Sequence, residues 1–125
     1  MKKIINTKNA PAAIGPYSQA TIHNNTLYVS GQLPIDPTTG EICGTDVKAQ
    51  TKLVMENLLA IINEAGASTD DILKCTILLT DMANFAPMNE VYGSFFKSDP
   101  PARICYQVTA LPKGAIVEID AIVGL

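Results

Sequence analysis

Val117-Glu118-Ile119-Asp120-Ala121-Ile122-Val123 alternates without a break. Val117, Ile119, Ala121 and Val123 make one apolar row. Glu118 and Asp120 share the opposite row with Ile116 and Ile122. Successive side chains of a strand point to opposite faces, so this segment reads as a strand with one face against a core. The second face carries two carboxylates among isoleucines and is unlike a plain solvent face. A sheet covered by helices on one side, with a half-buried second side, accommodates both rows.

The rest of the chain supplies the helices and the other strands. Tyr17 to His23 and Leu27 to Leu33 read as strands joined at Asn24-Asn25, since asparagine tolerates the positive φ of a tight hairpin. Ala10 to Pro16 is a loop with two prolines and a glycine, and Pro34 to Gly44 is a turn-rich excursion. Asp46 is placed to cap a helix whose apolar positions are Val47, Thr51, Val54, Leu58, Ile61, Ile62 and Ala65, with Gly66 as its stop. Asp71 to Thr80 reads as a strand with Leu73, Cys75, Ile77 and Leu79 on one face. A second helix starts after Asp81 or Asn84, tolerates Pro87 in its first turn and carries Phe85, Met88, Tyr92 and Phe95 as its apolar stripe. Ala102 to Val108 and Ala115 to Val123 close the chain. Strands, helix, strand, helix, strands in that order predict an α+β domain with both helices on one face of a sheet.

Composition narrows the function. The 125 residues suit one domain, 1–125, able to bury a core without disulfides or metals. Only 17% of residues are charged against 47% hydrophobic, so some surface is expected to be covered by a partner subunit. A net charge of -3 and no lysine cluster beyond Lys2-Lys3 give no footprint for nucleic acid. No stretch approaches a membrane span, and the N-terminus lacks the apolar run of a signal peptide. Cys43, Cys75 and Cys105 form neither a disulfide framework nor a zinc pattern, which fits reduced thiols in the cytoplasm.

The nine basic residues are eight lysines and one arginine, Arg103. A guanidinium is a rigid planar fork that grips a carboxylate with two parallel hydrogen bonds, which an ammonium cannot do. Alternation puts Arg103, Cys105 and Gln107 on one row of their strand and Ala102, Ile104, Tyr106 and Val108 on the other. If the last two strands form a hairpin around Leu111-Pro112-Lys113-Gly114, Arg103 and Cys105 come close to Glu118 and Asp120 on the face away from the helices; a longer-range pairing is equally allowed. Two readings follow. Arg103 binds a small organic acid while Glu118 positions or activates a water, or the two make a structural ion pair. Cys105 lacks a nearby base, because the only histidine, His23, lies in another strand, so a covalent role is disfavoured. Asn89 falls on the apolar stripe of its helix, where an amide needs a partner: nearby backbone, or a ligand. Ser30 points with Tyr28 and Gln32, and Gly31 beside it permits close approach of a ligand or of another backbone.

Ile14-Gly15-Pro16-Tyr17-Ser18-Gln19-Ala20, Val29-Ser30-Gly31-Gln32-Leu33-Pro34, Pro101-Ala102-Arg103 and Val117-Glu118-Ile119-Asp120-Ala121 occur in that order. Together they resemble the Rid family, in particular its RidA group of reactive-intermediate deaminases. The likeness runs from about Ala10 to Val123. It implies a chorismate-mutase-like α+β fold, with a mixed sheet of about six strands and two helices. It implies a homotrimer whose three sheets face inward as a barrel, with sites in the clefts between subunits. It implies hydrolysis of 2-imino acids, such as 2-iminobutanoate and 2-iminopropanoate, to 2-oxo acids and ammonia, without metal or cofactor. Such imines are released by pyridoxal-phosphate enzymes acting on threonine or serine. By position, Arg103 matches the arginine that binds the carboxylate and Glu118 the acid that orients the water. Tyr17, Ser30, Asn89 and Cys105 match residues lining the pocket, with Gly31 beside them. Asp120 stands where many members carry glutamate. A non-catalytic trimer that holds small carboxylates is the alternative. RNA cleavage, attached to some relatives, finds no basic stripe and no histidine pair in this chain.

Overall fold

Alternation of buried and exposed side chains organises one six-stranded sheet. The computed structural model describes residues 1–125. Its strands are β1 (Lys3–Ile5), β2 (Ala20–His23), β3 (Thr26–Gln32), β4 (Ile72–Leu79), β5 (Ala102–Gln107) and β6 (Val117–Gly124); its helices are α1 (Val47–Glu64) and α2 (Phe85–Gly93). The strand order is β1-β2-β3-β6-β4-β5. All neighbours are antiparallel except β4 and β5, which run parallel with α2 as their crossover. α1 packs on β3 and β6 and against α2. The expected α+β architecture, a mixed sheet with two helices, is present.

Local chemistry sets the helix ends. Asp46 Oδ2 accepts from Ala49 N at 3.0 Å and caps α1. At the other end Gly66 adopts φ +85, Gly66 N donates to Asn63 O at 3.0 Å and Ala67 N to Ile62 O at 3.1 Å, which is a Schellman stop. Asp81 Oδ1 accepts from Ala83 N at 2.9 Å, and a single 3-10 turn, Met82–Asn84, leads into α2. Pro87 sits in the first turn of α2, where its missing N–H costs nothing. The core joins Val117, Ile119, Ala121 and Val123 of β6 to Val54, Leu58, Ile61 and Ile62 of α1 and to Met88 and Tyr92 of α2. No helix is long and apolar enough to cross a membrane.

Four expectations change. The short β1 pairs with β2 and buries Ile5, and the sequence reading had no strand there. β2 starts at Ala20 rather than Tyr17. The buried Gln19 amide takes over instead: its Oε1 accepts from Thr7 N at 2.7 Å and its Nε2 donates to Thr7 O at 3.0 Å and Pro11 O at 2.9 Å, clasping the loop that precedes β2. A register shift in β4 between Ile72 and Lys74 buries Ile72 and leaves Leu73 exposed, so Leu73 does not share the row of Cys75, Ile77 and Leu79. A second shift in β3 sets Ser30 and Gly31 opposite the single residue Asp120, which turns Gln32 inward, away from Tyr28.

Candidate active site

The pairing of β5 decides where Arg103 goes. β5 does not form a hairpin with β6. It is the edge strand, parallel to β4, with Arg103 opposite Cys75, Cys105 opposite Ile77 and Gln107 opposite Leu79. Cys75, Ile77 and Leu79 are buried against the helices and align on β6 with Ala121, Ile119 and Val117. Residues paired across a sheet point to the same face. Arg103 and Cys105 therefore share the helix side, and the expectation that they lie on the face away from the helices is wrong. Glu118 and Asp120, paired with Leu78 and Thr76, occupy the uncovered side with Ile104 and Tyr106. Arg103 and Glu118 sit on opposite faces, two strands apart and three residues out of step, roughly 14 Å between backbones. The structural ion pair between them does not exist in the chain.

Arg103 is held by α2. Its Nη1 donates to Asn89 Oδ1 at 2.6 Å, and its Cζ lies over the Phe85 ring at 5.4 Å and over the Tyr92 ring at 5.3 Å. Phe85, Asn89 and Tyr92 fall at i, i+4 and i+7 on one stripe of the helix. The only ion pair of the chain joins Lys48 and Glu90, so no carboxylate occupies the guanidinium fork. Asn89 thus has a partner, and it is Arg103 rather than backbone. Cys105 is half-buried in the same row; burial pushes its thiol up, with Arg103 partly opposing. A thiol so displaced is protonated at neutral pH and is a poor nucleophile. Beneath them the buried Tyr92 hydroxyl faces the Cys75 thiol without completing a hydrogen bond of ordinary geometry, and burial pushes that thiol up to about 11.

The second group gathers at the bulge of β3. The half-buried Glu118 side chain lies across Gly31: an added Cβ there would stand 3.0 Å from Glu118 Cδ and 3.2 Å from Cγ. Glu118 accepts no hydrogen bond from the chain, whereas its neighbour Asp120 accepts from Thr76 N at 2.8 Å. Burial, and secondarily the Asp120 charge, hold the Glu118 carboxyl above its ordinary range. Ser30 Oγ donates to Ser18 O at 2.6 Å and Ser30 N to Gln19 O at 2.9 Å, which fixes the Tyr17 loop to β3. Tyr17 is exposed and lines a groove of about 480 Å³ with Lys2, Ser18, Thr21, Tyr28 and Ser30. A groove of about 550 Å³ on α1 is lined by Glu56, Glu64, Asn9 and Asn63 and holds neither Arg103 nor Glu118.

The candidate residues thus fall into two sets. Arg103, Asn89 and Cys105 stand at the β5 edge; Tyr17, Ser30, Gly31 and Glu118 stand around β3 and β6. No three His, Cys, Asp or Glu side chains come together to hold a metal ion. Sequence reasoning missed Phe85 and Tyr92 as neighbours of the arginine. Their signal was present, since both share Asn89's helix stripe.

A small α+β domain, with one parallel strand pair at the edge of an otherwise antiparallel sheet, is the class this fold defines. The model of the family described as Endoribonuclease L-PSP matches residues 7–125. A RutC family protein of Pyrococcus horikoshii is 52% identical over 122 residues, 98% of this chain and 97% of its own. The 2-iminobutanoate/2-iminopropanoate deaminase of Bos taurus is 47% identical over 122 residues, 98% of this chain and 89% of its own. The crystal structure of the conserved Rid family protein YyfA from Yersinia pestis superposes with a TM-score of 0.98 at 48% identity, over 100% of each chain. The chain belongs to the Rid family, which the Endoribonuclease L-PSP model describes.

Proposed function

We propose that the chain hydrolyses 2-imino acids, among them 2-iminobutanoate and 2-iminopropanoate, to 2-oxo acids and ammonia. Catalysis takes place in clefts between the copies of a homotrimer. The observation that carries this reading is an arginine fork held ready by α2 with no carboxylate of the chain upon it. The name of the bovine relative, 47% identical, supports the same chemistry.

In this mechanism the Arg103 fork grips the substrate carboxylate and orients C2. The protonated imine is already electrophilic, so no covalent help from Cys105 is required. Glu118 accepts a proton from a water that adds to C2. The resulting carbinolamine takes that proton on nitrogen; as the C–N bond breaks, Glu118 accepts the hydroxyl proton, the 2-oxo acid remains, and ammonia leaves with that proton as ammonium. A carboxyl held above its ordinary range suits a group that must first accept and then return a proton near neutral pH. Tyr17, Ser30 and Asn89 line the cleft, and Gly31 leaves room for the Glu118 head. No cofactor enters any step.

The opposite placement of Arg103 and Glu118 supports the trimer, because one chain alone cannot bring them to one substrate. The uncovered face supports it too: Tyr28, Leu73, Ile104 and Tyr106 are each about half exposed on or beside it. Glu118→Gln tests the reading against a non-catalytic carboxylate binder. Lost turnover with retained 2-oxobutanoate binding is expected; unchanged turnover defeats the assignment of Glu118. RNA cleavage would need a basic stripe to hold the phosphates, and the chain carries a net charge of -3.

A further inference from the structure

We infer that Phe85 and Tyr92 are positioning residues: their rings, together with Asn89, preset the Arg103 guanidinium so that its Nε–Nη2 edge is the one that receives the substrate carboxylate. This rests on the carboxylate-binding role proposed above for Arg103.

Arg103 lies on an edge strand and is exposed, and an exposed arginine ordinarily samples many rotamers. Three contacts from one helix restrict it here. The Cζ atom lies 5.4 Å from the Phe85 ring centroid and 5.3 Å from that of Tyr92, within range for cation–π attraction. Seven residues of helix rise by about 10 Å, so the two rings reach the one guanidinium carbon from different turns of α2. Asn89 Oδ1 takes one N–H of Nη1 at 2.6 Å. The Nε–H and the N–H of Nη2 that lies alongside it have no partner in the chain, and these two parallel donors match the two oxygens of a carboxylate.

The rings are themselves fixed. Tyr92 is buried and packs on Phe96 with ring centroids 5.0 Å apart, and Phe85 packs against the main core. The seat is therefore anchored in the core, while the fork stays accessible. The Tyr92 hydroxyl plays no part: it points to the Cys75 thiol, away from any conventional partner. A ring without the hydroxyl serves the seat equally well, which separates this role from general packing or from acid–base use of the tyrosine.

Arg103 is the only arginine, so selective 15N-arginine labelling yields a single Nε–Hε signal and reads the seat directly. In the parent protein the signal is shifted upfield by the ring faces. Phe85→Leu and Tyr92→Leu move it towards the free-arginine position and weaken 2-oxobutanoate binding about two- to thirtyfold, the range of one cation–π contact. Tyr92→Phe keeps both the shift and the affinity. A free-arginine signal in the parent overturns the seat, whatever the variants do. Variants that stay folded, lose the shift and bind as well as the parent overturn its role in binding. A seated signal that saturating 2-oxobutanoate leaves unmoved overturns instead the carboxylate reading beneath it.

Discussion

Gly31→Ala displaces the Glu118 head without asking anything of the backbone. Gly31 does not adopt the left-handed conformation, so alanine fits its φ and ψ. The added methyl would stand 3.0 Å from Glu118 Cδ and 3.2 Å from Cγ, where carbon contacts ordinarily settle at about 3.5–4.0 Å. Glu118 Oε2 lies nearer still and would be overlapped outright, so the carboxylate must move by about an ångström, and a misplacement of that size costs about a hundredfold in rate. Stability changes by about 1 kcal/mol or less, because a half-buried side chain with no hydrogen bond can swing aside. Loss of 2-iminobutanoate formed in situ, followed against buffer alone, reads the rate; 2-oxobutanoate binding and the thermal midpoint check the Arg103 side and the fold. A variant that melts with the parent and turns over at the parental rate refutes the idea that Glu118 acts from its place over Gly31.

Other expected outcomes concern charge and burial. Arg103→Ala loses about ten- to a hundredfold in 2-oxobutanoate affinity, the contribution of a charge-assisted pair, and Arg103→Lys does not restore it because an ammonium offers no fork; isothermal titration of both variants is the check. Because the folded Glu118 carboxyl titrates above its unfolded value, its ionisation opposes folding. The protein is least burdened below the ordinary glutamate range near 4.3, and stability is lost as pH rises through the raised value. Glu118→Gln therefore melts higher than the parent at neutral pH, and the gap closes below about pH 4; a gap that widens on acidification contradicts the raised carboxyl. Tyr92→Phe removes a buried hydroxyl that has no partner and leaves urea stability equal or higher by about 1–3 kcal/mol; a loss of that size would reveal a bond to Cys75.

Periodicity carried much of the fold. The α1 cap at Asp46, its stop at Gly66 and the inward row of β6 rest on local rules that tertiary structure did not overrule. The bulges were invisible because a register shift leaves no mark in composition: Leu73 is as apolar as Ile72, yet only Ile72 is buried. The faces of β5 were misread for a related reason. Ala102, Ile104 and Tyr106 look like a core row, but they belong to a face that no helix of the chain covers, while the polar-looking row of Arg103 and Cys105 meets α2. Apolar content identifies a core row only where one face of a sheet is wet, and here both faces carry apolar side chains. Pairing between strands distant in sequence could not be read from a single strand, and it is that pairing which separates Arg103 from Glu118.

Mixing two inactive variants tests the shared cleft most directly. On the proposed homotrimer, Arg103→Ala and Glu118→Gln chains, co-purified after unfolding and reassembly in equal amounts, are expected to form mixed trimers. If each site takes Arg103 from one copy and Glu118 from the next, about a quarter of the sites hold both residues, and about a quarter of the parental imine hydrolysis returns. If both residues act from the same chain, no mixed trimer holds a complete site, and activity that stays at the level of the separate variants contradicts the account.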